Sequence, residues 1–222
     1  SGRKYKHCCQ QRAATPAVNP QSTELSIRKA MQVAWMYRQQ GRLADAEAVC
    51  ARILQASPHQ PDALHLLGAI ALQDGKVELA VDLIRKAIAR NPNNPEYYSN
   101  LGLAFHEQGK LDLAIVNYRK AIAIHPGYAD AYYNLHALLL NPDDMAPAIQ
   151  CMQKVVEINP SDIDARFMLG LLLDYSGQAA VAAMHFELVE KSTNLYRARL
   201  DAWRYLKSAR PGLPLTGSLM QT

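Results

Sequence analysis

YYSNLGLAFHEQGKLDLAIVNYRKAIAIHP, residues 97–126, holds two helical patterns of about a dozen residues each, parted at Gly109 and closed by Pro126. The closing proline recurs. Pro58, Pro92, Pro126 and Pro160 stand 34 residues apart, in LQASP, IARNP, IAIHP and VEINP. Writing the chain in rows of 34 from Ile27 gives five rows, which begin at Ile27, Pro61, Pro95, Ala129 and Ile163.

The columns of those rows repeat residue types. Column eight reads Ala34, Gly68, Gly102, His136 and Gly170, and column twenty is alanine throughout, at Ala46, Ala80, Ala114, Ala148 and Ala182. Small side chains at two fixed columns let two antiparallel helices approach closely where they cross. Column fifteen is glycine in four rows and Asp143, within NPDD, in the fourth. Each row therefore reads as helix, turn, helix, and the proline ends the second helix because the residue before a proline avoids the α region.

On this period and these columns the chain resembles the tetratricopeptide repeat family, over residues 27 to about 193. The resemblance implies an all-α fold, a right-handed α-solenoid of stacked antiparallel helix pairs whose first helices line a concave groove. A lone pair cannot bury its apolar face, so such stacks are stable collectively and need caps. The expected organisation is a hook at 1–10, a linker at 11–24, and repeats within 25–194 at 27–60, 61–94, 95–128, 129–162 and 163–194. A capping helix at 195–210 follows, with Tyr196, Leu200 and Trp203 on one side, and then a tail or linker at 211–222.

Function in this family sits in the groove. Column six reads Gln32, Leu66, Asn100, Asn134 and Met168. An asparagine at this column often holds the backbone of an extended peptide in the family, and a carboxamide can donate and accept at once, as a peptide unit does. The resemblance thus points to Asn100 and Asn134, with apolar contacts from Trp35, Leu66, Leu103, Tyr133 and Phe167. The same residues could instead tie neighbouring helices together. Column two carries Asp62, Glu96, Asp130 and Asp164; an acidic rail for a basic partner is one reading, but first-turn acids are favoured by the helix dipole in any case. No arrangement of lysine and arginine for gripping a terminal carboxylate is present in these columns. His136, in a column of small residues, is read as a packing irregularity, and His136→Gly is expected to keep or raise the melting temperature.

Composition narrows the classes. With 49% hydrophobic and 20% charged residues the chain is globular in balance, and a net charge of +4 falls short of a dedicated nucleic-acid module. No apolar run reaches membrane-spanning length and no secretory h-region opens the sequence, so a cytoplasmic protein is expected. Phosphate loops, nucleophile elbows and H-E-x-x-H are missing, which argues for a binding protein rather than an enzyme. No cofactor is expected within the chain. The expected partner is a peptide or protein segment, with neither membrane nor nucleic acid, and self-association is left open.

SGRKYKHCC, residues 1–9, resembles the second half of the SEC-C motif, a small zinc hook of pattern C-x-C-G-S-G-(K/R)-K-Y-K-x-C-(C/H). The resemblance makes Cys8 and Cys9 zinc ligands only if a first ligand pair precedes Ser1, since two thiolates do not close a tetrahedral site. It suggests a longer bacterial polypeptide. The alternative function is accordingly the recognition arm of a larger bacterial enzyme, a methyltransferase, glycosyltransferase or sulfotransferase, whose catalytic domain lies outside this chain.

Overall fold

A computed structural model describes residues 20–191, 199–201 and 203; among them are ten α-helices and no strand. Cys8, Cys9, the proposed hook, the start of the linker, Tyr196 and the tail at 211–222 lie outside the described residues. Two compact units divide the chain at Pro58.

The first unit contains α1 (Pro20–Gln39) and α2 (Leu43–Ala56). The helix α1 starts inside the stretch expected to be linker, and its last turns carry the first row. Ala34, Ala46, Val49, Cys50 and Ile53 are buried between the two helices. Burial, with the Glu47 carboxylate adding to it, pushes the Cys50 thiol up to about 11, so it packs as a small apolar side chain.

The second unit, from His59 onward, contains α3 (Pro61–Gln73), α4 (Val77–Arg90), α5 (Pro95–Glu107), α6 (Leu111–Ile124), α7 (Ala129–Leu138), α8 (Ala146–Ile158), α9 (Ile163–Tyr175) and α10 (Ala179–Glu190). Each helix packs chiefly on its sequence neighbours, giving an all-α stack of antiparallel pairs. The first helices start on local chemistry. Pro61 and Pro95 occupy their first turns, Gln60 accepts from the Asp62 amide at 2.6 Å, and Asn94 accepts from the Glu96 amide at 3.0 Å. Second helices stop where expected: Asn91, His125 and Asn159, each before a proline, have left the helical region with ψ of 89°, 95° and 84°.

Column twenty behaves as the sequence suggests, since all five alanines are at most 1% exposed. Column eight has a particular partner. A Cβ added at Gly68, Gly102 or Gly170 would come within 2.7 Å of Ile84, 2.8 Å of Tyr118 or 2.5 Å of Phe186, and all three neighbours occupy column twenty-four of the same repeat. In repeat four those columns hold His136 and Met152, both buried. That repeat also turns differently. Four column-fifteen glycines take φ between 70° and 83°, whereas among the described residues no non-glycine has a positive φ; in repeat four Asn141 accepts from the Asp143 amide and Asp144 from the Ala146 amide. The helix α7 is accordingly three residues shorter than α5, 10 against 13.

Past α10, Arg199, Leu200, Asp201 and Trp203 are helical, as a capping helix requires. Leu200 is fully buried in the core formed by α8, α9 and α10, against which Trp203 also packs.

Candidate functional site

On the first-helix face of the second unit, side-chain contacts at one sequence interval join α3 to α5 and α9 to Arg199. Tyr97 donates its hydroxyl to Asp62, and Asn100 Nδ2 lies 2.7 Å from His65 Nε2, each across 35 positions. The guanidinium of Arg199 lies 3.5 Å from Asp164, again 199 − 164 = 35 positions away. A 34-residue repeat plus one residue joins column two to column three, or column five to column six, of the next element. Residues 199–203 therefore stand where the first helix of a sixth repeat would begin.

The bond to His65 gives Asn100 an intramolecular role. The His65 and Tyr97 rings are 4.6 Å apart, so Asp62, Tyr97, His65 and Asn100 form one polar and aromatic seam between α3 and α5. Burial first, then the hydrogen bond to Asp62, raises the Tyr97 phenol well above its ordinary range. Column-two acids thus do more than complement the helix dipole. Asp62 accepts from a phenol, Asp164 forms an ion pair with a guanidinium, and the phenol of Tyr128, raised by burial, lies beside Asp130 and Glu96.

Of the residues expected to line the site, Leu66 is fully buried and Phe167 is 4% exposed. Both correct the expectation. Leu66 sits in a nearly continuous buried run of α3, and the Phe167 ring is covered by the Arg199 guanidinium, 4.6 Å from its centroid. Trp203 closes the same face by donating its indole N–H to Asp174 at 3.0 Å. Trp35 belongs to the first unit and is half-buried, with the Arg38 guanidinium 5.3 Å from its ring centroid.

Leu103 and Asn134 are half-buried, and Tyr133 is 39% exposed. Burial, reinforced by Asp164 and Asp162 and opposed by Arg199, raises the Tyr133 phenol. It is held from behind by the edge-on ring of His136, 5.2 Å away, whose Nδ1 meets the Tyr133 carbonyl oxygen. Burial lowers the His136 imidazole, the carbonyl contact opposing it, so the ring is kept neutral. Sequence reasoning missed His136 as the support of Tyr133; a polar ring in a small-residue column, three residues from a groove aromatic, was the signal.

Among the described residues no group of three or more metal-ligating side chains gathers, and no helix is long and apolar enough to cross a membrane.

Comparison with known proteins follows the repeats. Profiles described as tetratricopeptide repeat match residues 37–102 and 129–162, and one described as TPR repeat matches 102–141. No curated protein matches the chain. Among solved structures, MamA is similar at 26% identity and a TM-score of 0.60, over 72% of this chain and 93% of that one. PilF of Pseudomonas aeruginosa shares the fold at 20% identity, with a TM-score of 0.71 over 86% and 95% of the two chains. An O-GlcNAc transferase variant of Thermobaculum terrenum is similar at 26% identity and a TM-score of 0.56, over 61% of this chain but 26% of that one.

Proposed function

This chain is a tetratricopeptide repeat protein, a protein-interaction module, and from that premise we propose that it binds an extended peptide segment of a partner on the first-helix face of its second unit. The observation that carries the reading is Tyr133. On α3, α5, α7 and α9 it is the large apolar side chain left exposed, and Asn134 follows it directly. An exposed aromatic beside a carboxamide offers a peptide one apolar anchor and one paired backbone contact. Leu103, one repeat away on α5, extends the apolar surface. Asn100 contributes chiefly by holding α3 to α5, because its amide is already engaged by His65.

The test is a peptide-display selection followed by calorimetry with the tightest peptide. Asn134→Ala and Tyr133→Ala are each expected to weaken binding about tenfold, or about 1.4 kcal/mol, while the melting temperature holds. Asn100→Ala is expected to lower stability by about 1 kcal/mol and affinity less. Unchanged affinity in the Asn134 and Tyr133 variants would remove this face from the site.

A second reading takes its support from the transferase likeness: the repeats serve as the protein-recognition arm of a larger enzyme that transfers a glycosyl, methyl or sulfo group. The intact mass of the native polypeptide, with both ends mapped, decides it. A mass near 24.7 kDa would eliminate that reading and, with it, the zinc role suggested for Cys8 and Cys9.

A further inference from the structure

The second helices expose far more apolar surface than the groove does. Leu79 on α4 is 48% exposed, and on α6 Leu113 and Val116 are 44% and 61% exposed. Leu79 and Leu113 occupy the same column, nineteen, and Leu113 and Val116 are one helical turn apart, so they share a face. An apolar strip of this kind on a surface helix marks an interaction site rather than scatter.

Charge identifies what covers it. Column twenty-six is lysine in the three middle repeats, and two of these lysines are neutralised within their own helix: Lys86 by Asp82 at 2.6 Å, and Lys154 by Glu157 at 2.6 Å. At the corresponding positions around Lys120, column twenty-two is Val116 and column twenty-nine is Ala123. Arg119 has no acid at three or four residues to either side. Both cations are exposed, and neither has a carboxylate partner among the described residues. The substitution that makes this face apolar is the one that leaves its lysine uncompensated.

We propose that the outer face of α6, with Leu79 in the matching column of α4, docks an acidic amphipathic helix from a partner protein. Its apolar side lies on Leu113 and Val116 and its carboxylates reach Lys120 and Arg119. This is a helix-on-surface mode, separate from the groove and independent of the peptide reading above. Electrostatic complementarity would steer the encounter and make it salt-sensitive.

The experiment measures fluorescence anisotropy with two labelled synthetic helices that carry the same leucine stripe, one flanked by glutamates and the other by lysines. The glutamate helix is expected to bind at least tenfold more tightly than the lysine helix. Val116→Glu and Lys120→Glu should each weaken it at least tenfold, Lys120→Arg should restore it, and Asn134→Ala should leave it unchanged. Both α6 side chains are exposed, and circular dichroism confirms the fold of each variant; were Val116→Glu to unfold, the Lys120 pair carries the test alone. Equal binding of the two helices, no binding of the acidic one, indifference to Lys120→Glu, or preference for phosphatidylserine vesicles over the acidic helix would each overturn the proposal.

Discussion

In repeat three, α5 and α6 meet with Gly102 beneath the ring of Tyr118, and Gly109 turns the chain with φ of 70°. In repeat four the same columns hold His136 and the flexible Met152, with Asp143 in a turn that needs no left-handed residue. One hairpin closes on a rigid buried ring against bare backbone; the other buries an imidazole and an unbranched thioether in the same two columns. The difference teaches that the two columns are filled as a pair: a large column-twenty-four ring requires glycine in column eight, and a side chain in column eight requires a partner that can bend away.

The largest expected effect comes from forcing a side chain into repeat three. Gly102→Leu should destabilise the protein by about 3 kcal/mol, because even a Cβ would stand 2.8 Å from the Tyr118 ring. Adding Tyr118→Met, which gives repeat three the partner that repeat four uses, should recover part of that loss. A double-mutant cycle by chemical denaturation measures the coupling, and simple additivity would show that the two columns are independent.

Next in size is the reverse exchange. His136→Gly should cost about 2 kcal/mol at pH 7.5, from the lost ring and the glycine placed in α7. The earlier expectation of an unchanged or raised melting temperature gives way here, since the ring is 4% exposed and backs Tyr133. The variant should also melt with a shallower pH dependence. Burial lowers the folded pKa of His136, so the unfolded chain takes up the proton first as pH falls. The stability from a neutral His136 is complete above about pH 6.5 and is lost below it, at no more than about 1.4 kcal/mol per pH unit. His185 is lowered by burial too and keeps a residual slope of the same sign. Thermal melts of both proteins between pH 7.5 and 5.5 check this, and parallel curves would take His136 out of the account.

The smallest effect separates the turns. Gly109→Ala should cost about 1 kcal/mol through its positive φ alone, as nothing crowds the position. Asp143→Ala, in the same column, should change stability by less than about 0.5 kcal/mol, because its amide rather than its side chain makes the turn bond. Equal losses at the two positions would mean that the turns are alike after all.

The period made the fold legible. Pro58, Pro92, Pro126 and Pro160 bound the rows, and the column-twenty alanines fell inside the pairs as their size demanded. What the columns hid was pairing across a distance. Gly102 announces a close approach without naming Tyr118, and Asn100 looks the same in a sequence whether its amide meets a ligand or His65. The acids of column two were legible as first-turn residues, but their phenol and guanidinium partners come from the next element, so the helix dipole seemed explanation enough. Leu66 and Phe167 were misplaced for a related reason: groove columns describe a direction, and burial depends on what stands in front of it.

The interval of 35 positions between Tyr97 and Asp62, and between Asn100 and His65, makes the chain something like a zip whose teeth and tape can be told apart. Excising residues 95–128 would rejoin Asn94 to Ala129 in perfect phase, so the tape would still run true. The same cut would carry away both Tyr97 and Asn100, and in their columns it would bring Ala131 and Asn134 up to the old teeth. Of the two polar clasps only the carboxamide would have a successor.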